Sequence, residues 1–81
     1  MAKPSPSQSG NPTLIALGQA IRSERVKSGM AQEALALEAG LDRSYLGGIE
    51  RGEHNVAIIN LVKIANALDI KLSELLKNSG N

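Results

Sequence analysis

No cysteine occurs among the 81 residues, which rules out a disulfide framework and any thiolate metal site. Phenylalanine and tryptophan are missing as well, and Tyr45 is the only aromatic residue. The core must therefore be aliphatic, and the bases of a single strand would find almost no ring to stack on. That disfavours RNA and single-stranded DNA relative to duplex DNA. A lone histidine, His54, cannot build a multi-histidine cluster, so no metal and no cofactor is expected. Apolar stretches run for only a few residues, too short to span a bilayer. The opening Met-Ala-Lys-Pro-Ser-Pro-Ser lacks the apolar centre of a signal peptide. A cytoplasmic protein with no membrane partner is the expectation. An excess of charge of one sign is lacking too. Nine Lys and Arg face eight Asp and Glu, for a formal net charge of +1, which argues mildly against a nucleic-acid partner, since such domains are often strongly basic.

Enzyme chemistry has little to start from. No nucleophile–base set, phosphate loop or paired catalytic carboxylates is present. A chain of 81 residues holds one small domain, and no pocket for a small-molecule effector is evident in it.

All three prolines fall in residues 1–12, among Ser, Gln and Gly and without apolar periodicity. This segment reads as a flexible tail. The domain is expected over residues 13–78, with 79–81 as a C-terminal tail.

Five helical segments follow, and no sustained alternation suggests a strand. The first carries Leu14, Leu17, Gly18, Ile21 and Arg25 at helical spacing, with Gly29 as its stop. The second spans about Ala31 to Glu38, with Leu35, Ala36 and Ala39 turned inward and Gly40 as its break. The third starts at Asp42, a good N-cap, and carries Leu46 and Ile49 before Gly52. Asn55 is a candidate cap for the fourth, which holds Ile58, Leu61, Val62, Ile64, Ala65 and Leu68. The fifth is short, from about Leu72 to Lys77. The fold class is all-α.

The second and third helices are joined by Ala39-Gly40-Leu41, the layout of a helix-turn-helix. The second helix of such a unit enters the major groove and reaches base edges with its N-terminal residues. Here those are Asp42, Arg43, Ser44 and Tyr45.

Four motifs occur in order: Gln-Glu-x-Leu-Ala at 32–36, Ala-Gly at 39–40, Ile-Glu-Arg-Gly at 49–52 and Ala-x-x-Leu at 65–68. At this spacing they resemble the Cro/CI-type (XRE) helix-turn-helix family over about residues 14–77. The run from Leu41 to Gly52 looks most like the controller proteins of restriction-modification systems, which are stand-alone domains of about this size. The resemblance implies a compact five-helix, lambda-repressor-like domain that binds operator DNA as a dimer.

Carried over by position, the resemblance assigns Arg43 and Ser44 to base reading. It places Gln32, Tyr45, Arg51 and Asn55 at the DNA backbone, with His54 in the same loop. Tyr45, as the only aromatic residue, fits equally well at the edge of the core, and His54 reads more simply as an exposed loop side chain. Arg25 and Glu50 match a structural ion pair between the first helix and the end of the third.

The chain departs from the family pattern in three respects. Ala31 stands where a Ser or Thr cap is usual, at a cost of about 1 kcal/mol. Gly47 and Gly48 are consecutive in mid-helix, each costing roughly 0.5–1 kcal/mol relative to alanine. Between Asp42 and Asn55, two basic residues face three acidic ones, and Glu53 has no evident role.

The fourth helix carries more apolar residues than one core face needs. Ile58, Ile59 and Val62, with Leu72 and Leu76, are the expected homodimer surface, the alternative being that all five face the monomer's own core. Two functions compete. One is a homodimeric, sequence-specific regulator of transcription on double-stranded DNA. The other is a protein-interaction module of the same fold, an antitoxin-like partner binder, which the near-neutral charge and Glu53 favour.

Overall fold

The structure is a computed structural model and describes residues 10–81. The expected tail thus lies largely outside the described residues. Its last two residues are not tail. Helix α1 covers Pro12–Lys27, and the Asn11 side chain accepts a hydrogen bond from the Thr13 N–H at 2.9 Å. Asparagine is among the best N-caps, and proline at the first helical position lacks only an N–H that would go unused.

The remaining helices are α2 (Gln32–Ala39), α3 (Arg43–Glu50), α4 (Ile58–Ala67) and α5 (Leu72–Asn78), and no strand occurs among the described residues. Each helix sends at least one fully buried side chain into a common centre: Ile21, Leu35, Leu46 with Ile49, Ile64 and Leu75. All six are aliphatic, as a chain without Phe or Trp requires. Each contributes about 1.5–3 kcal/mol relative to exposure.

The turn between α2 and α3 depends on Gly40, whose φ is +69°. In this left-handed conformation the Leu41 N–H donates back to the Ala36 carbonyl at 2.8 Å, closing the last turn of α2. Asp42 then caps α3, its carboxylate accepting from the Tyr45 N–H at 3.1 Å. Ala31 precedes α2 with no side-chain cap.

Two expected boundaries move. Asn55 does not cap α4; the N-cap is Ala57, without a side-chain bond. The Glu53 N–H closes α3 by donating to the Gly48 carbonyl, and Val56 then packs on the core, so the chain runs extended past Asn55 before it can turn. At the other end, residues 79–81 are fastened rather than loose. Ser79 Oγ donates to the Leu76 carbonyl at 2.6 Å, and Asn81 Nδ2 donates to the Thr13 carbonyl at 3.3 Å.

Helices α1 and α3 cross closely at Gly18. A Cβ there would stand 2.4 Å from the Ile49 carbonyl oxygen and 2.5 Å from that of Glu50. This contact sets the seating of α3 against α1.

Candidate nucleic-acid interface

Leu46 and Ile49 fasten the inner side of α3 to the core. Positions 44, 47, 48 and 51, spaced as one helical stripe, lie on the side away from these anchors. Arg43 begins the helix, exposed and with no ion pair among the described residues. Ser44 is half-buried.

The two glycines of the stripe are covered by side chains from elsewhere. A Cβ on Gly47 would lie 3.2 Å from Arg51 Nη1 and 3.5 Å from Gln32 Oε1. A Cβ on Gly48 would lie 2.5 Å from His54 Nε2 and 3.6 Å from Glu53 Oε1. The glycine pair is thus a seat for Gln32, Arg51, Glu53 and His54. This gives a packing reason for residues whose helix propensity alone is unfavourable.

His54 departs from the expectation of an exposed loop side chain. Its ring lies 5.2 Å from that of Tyr45, tilted by 51°, and Nε2 is buried against Gly48 with no hydrogen-bond partner. The absent side chain at Gly48 makes room for the ring. Tyr45 is half-buried against the core, and its hydroxyl accepts from Asn60 Nδ2 at 3.2 Å. The hydroxyl proton remains available to an acceptor.

Glu50 is the hub of the inner network. Arg25 Nε donates to one carboxylate oxygen at 2.7 Å and Nη2 to the other at 3.1 Å. The side chains are 12 % and 2 % exposed, so this two-pronged pair is shielded from water. Arg25 Nη1 also donates to the Met30 carbonyl at 2.9 Å, tying α1 to the start of α2. Gln32 Nε2 donates to Glu50 Oε1 at 3.0 Å. One amide hydrogen of Gln32 is therefore used inside the protein, and the other is left for an outside acceptor.

Glu53 acquires a role that its sequence position did not suggest. Both of its oxygens accept from Arg51, from Nε at 2.9 Å and from Nη2 at 3.1 Å. The hydrogen bond from Arg51 holds the Glu53 carboxyl below its ordinary range, and the same bond raises the guanidinium of Arg51. All three acidic residues near α3 are thus engaged: Asp42 as cap, Glu50 with Arg25, and Glu53 with Arg51. Asn55 is exposed in the loop.

The structure divides the apolar set on α4 and α5. Ile58 and Ile59 are 68 % and 59 % exposed, and Val62 is half-buried. Leu72 and Leu76 are half-buried and pack on the monomer's own core.

Gly18 and Gly52 were not singled out as site-forming by the sequence. Gly52 has φ +76°, and a Cβ on it would lie 2.7 Å from Ile15 Cα. It therefore turns the chain out of α3 directly against α1. A glycine on the apolar stripe of a helix was the available signal for Gly18.

Known proteins are similar to this chain in sequence and in fold. The helix-turn-helix family model (HTH_3) matches residues 21–75. The control protein C.BamHI of Bacillus amyloliquefaciens is 44% identical over 63 residues, 76% of this chain and 78% of that protein. C.SmaI of Serratia marcescens is 39% identical over 64 residues, 79% of this chain and 76% of its own. Among solved structures, the restriction-modification controller protein C.AhdI from Aeromonas hydrophila superposes with a TM-score of 0.76 at 52% identity. The match covers 76% of this chain and 94% of that one.

Proposed function

This chain belongs to the XRE-type (Cro/CI) helix-turn-helix family of DNA-binding transcriptional regulators, and from that premise we propose that it acts as a homodimer on a two-fold symmetric operator with α3 in the major groove. The family is one of regulators, not enzymes. Like its controller relatives, the chain is read as a compact regulator, and we place it in the cytoplasm, where its operator would lie. No helix among the described residues is long and apolar enough to cross a membrane.

One observation carries the reading. Every carboxylate bordering α3 is engaged within the protein, while Arg43 at its N-terminus stays exposed and unpaired among the described residues. The apparent negative balance of this segment is therefore offset by partners within the protein, and Arg43 is left uncompensated. Arg43 supplies two parallel donors for guanine O6 and N7, worth roughly 1–3 kcal/mol of discrimination. Ser44 is the second base reader. Gln32, Tyr45 and Asn55 approach the sugar-phosphate backbone, each with a donor left over. The exposed Ile58 and Ile59, continued by Val62 and the outer edges of Leu72 and Leu76, form the dimer surface. Two copies then set their recognition helices about 34 Å apart, one turn of DNA.

Selection of binding sites from random duplex DNA, with the wild type and Arg43→Ala side by side, tests this. A symmetric consensus that loses definition in the variant is the expected result. A wild type that enriches no sequence removes the operator reading. It would favour the protein-binding alternative, for which Leu37, 83 % exposed on α2, is the supporting observation.

A further inference from the structure

Resting on the DNA-binding reading, the geometry points to Arg51 as a second base-reading arginine, specific for guanine, with Glu53 as the residue that positions it. By resemblance alone Arg51 would be a backbone contact. Its surroundings fit that role poorly.

Side chains on a helix lean towards its N-terminus, and Arg51 reaches back one turn, placing Nη1 over Gly47. The guanidinium therefore lies at the middle of the outward stripe of α3, not at its end. Glu53 engages one edge only, formed by Nε and Nη2, at 2.9 and 3.1 Å. A guanidinium carries five N–H groups. Those of Nη1 and the outer one of Nη2 remain. Together they are the end-on fork that pairs with guanine O6 and N7.

The carboxylate separates the two roles. A phosphate contact needs positive charge in no particular orientation. A carboxylate clasped to it cancels that charge and brings a like charge towards the phosphates, which opposes binding. A base reader gains from the same carboxylate, because the plane of the fork is fixed before DNA arrives and less side-chain freedom is lost on binding. Gly47 and Gly48 agree with this assignment. Neither can read a base, and a side chain at 47 would occupy the space of the fork, with Nη1 only 3.2 Å from its Cβ. Arg43, with no carboxylate partner among the described residues, is by contrast a reader that no carboxylate orients.

The test is site selection from random duplex DNA with the wild type, Arg51→Lys and Glu53→Gln, all confirmed folded by circular dichroism. Affinities for the selected and a scrambled duplex are then measured against salt. Lysine keeps the charge and loses the fork. Arg51→Lys is expected to blur one guanine in each half-site and to lower the ratio of selected to scrambled affinity roughly tenfold. Its binding to scrambled DNA and its salt slope stay near wild type. Glu53→Gln is expected to bind scrambled DNA more tightly, with a steeper salt slope, while its ratio falls. An unchanged consensus and ratio in Arg51→Lys would overturn the assignment and leave Arg51 a point charge. Equal tightening on both duplexes in Glu53→Gln would overturn the positioning role. Failure of the DNA-binding reading looks different, because the wild type itself then enriches nothing.

Discussion

Replacing Gly18 by alanine puts two effects of opposite sign in competition. Alanine in mid-helix is favoured over glycine by roughly 0.5–1 kcal/mol. Against this, the new Cβ would stand 2.4 Å from the Ile49 carbonyl oxygen, 2.5 Å from that of Glu50 and 2.8 Å from the Glu50 carbonyl carbon. These are backbone atoms of α3, so no side chain can swing aside. To reach even 3.0 Å, α1 and α3 must part by about 0.6 Å. That movement loosens the Ile21 and Ile49 packing and stretches the bond from Arg25 on α1 to Glu50 on α3. Overpacking of this kind typically costs 1–3 kcal/mol, and the weakened pair adds to it, leaving a net loss of about 2 kcal/mol. Total stability for a chain of this size is roughly 4–12 kcal/mol, so the loss is a large share. Thermal unfolding followed by circular dichroism should show Tm falling by roughly 8–16 °C. Gly47→Ala is the internal control. Its Cβ meets only the ends of flexible side chains, Arg51 Nη1 at 3.2 Å and Gln32 Oε1 at 3.5 Å, and propensity should win, stabilising by about 0.5–1 kcal/mol. A Gly18→Ala protein as stable as the wild type would refute this account of how α1 and α3 pack.

Ala31 already has the extended conformation of an N-cap but offers no side-chain acceptor, so Ala31→Ser should raise the urea midpoint, by about 1 kcal/mol in free energy. Glu50→Ala leaves Arg25 buried without its partner and should cost about 3–5 kcal/mol, read by the same titration. The Arg51–Glu53 bond lowers the folded-state pKa of Glu53. What it adds to stability is therefore fully present above the ordinary carboxylate range and is lost progressively as pH falls from that range through the lowered value. An NMR titration should place the Glu53 midpoint below that of a free glutamate, and Arg51→Ala should move it back up. Ile58→Asp with Ile59→Asp, at exposed positions, should weaken self-association at least about tenfold in sedimentation equilibrium while leaving the monomer folded.

Much of the fold was readable because apolar residues at helical spacing do become the buried set. Ile21, Leu35, Leu46, Ile49, Ile64 and Leu75 all lie on predicted helices and all are fully buried. Gly40 and Asp42 were readable because a left-handed turn and an N-cap are local demands on residue type. The ion pair of Arg25 with Glu50 links positions 25 residues apart, and only the family resemblance pointed to it. Most of what escaped depends on backbone turns that residue types do not announce. Glu53 reaches Arg51, and His54 reaches Gly48, because Gly52 turns the chain back at φ +76°. Asn55 looked like a cap, but anchoring of Val56 on the core delays α4 to Ile58. Asn11 and Pro12 were hidden by the composition around them, although each is favourable at a helix start. The glycine pair looked like a defect of α3, and only the side chains folded over it show what the space holds.

On the reading proposed above, this domain recognises duplex DNA as a homodimer through α3. Titration of the selected symmetric duplex at several salt concentrations tests it most directly, with a scrambled duplex alongside. The logarithm of affinity should fall linearly with the logarithm of salt, by about 0.9 for each phosphate neutralised. Occupancy should rise with the square of protein concentration below the dimer constant, and the scrambled duplex should bind at least about a thousandfold more weakly. Equal affinity for both duplexes, or binding indifferent to salt, would contradict that reading.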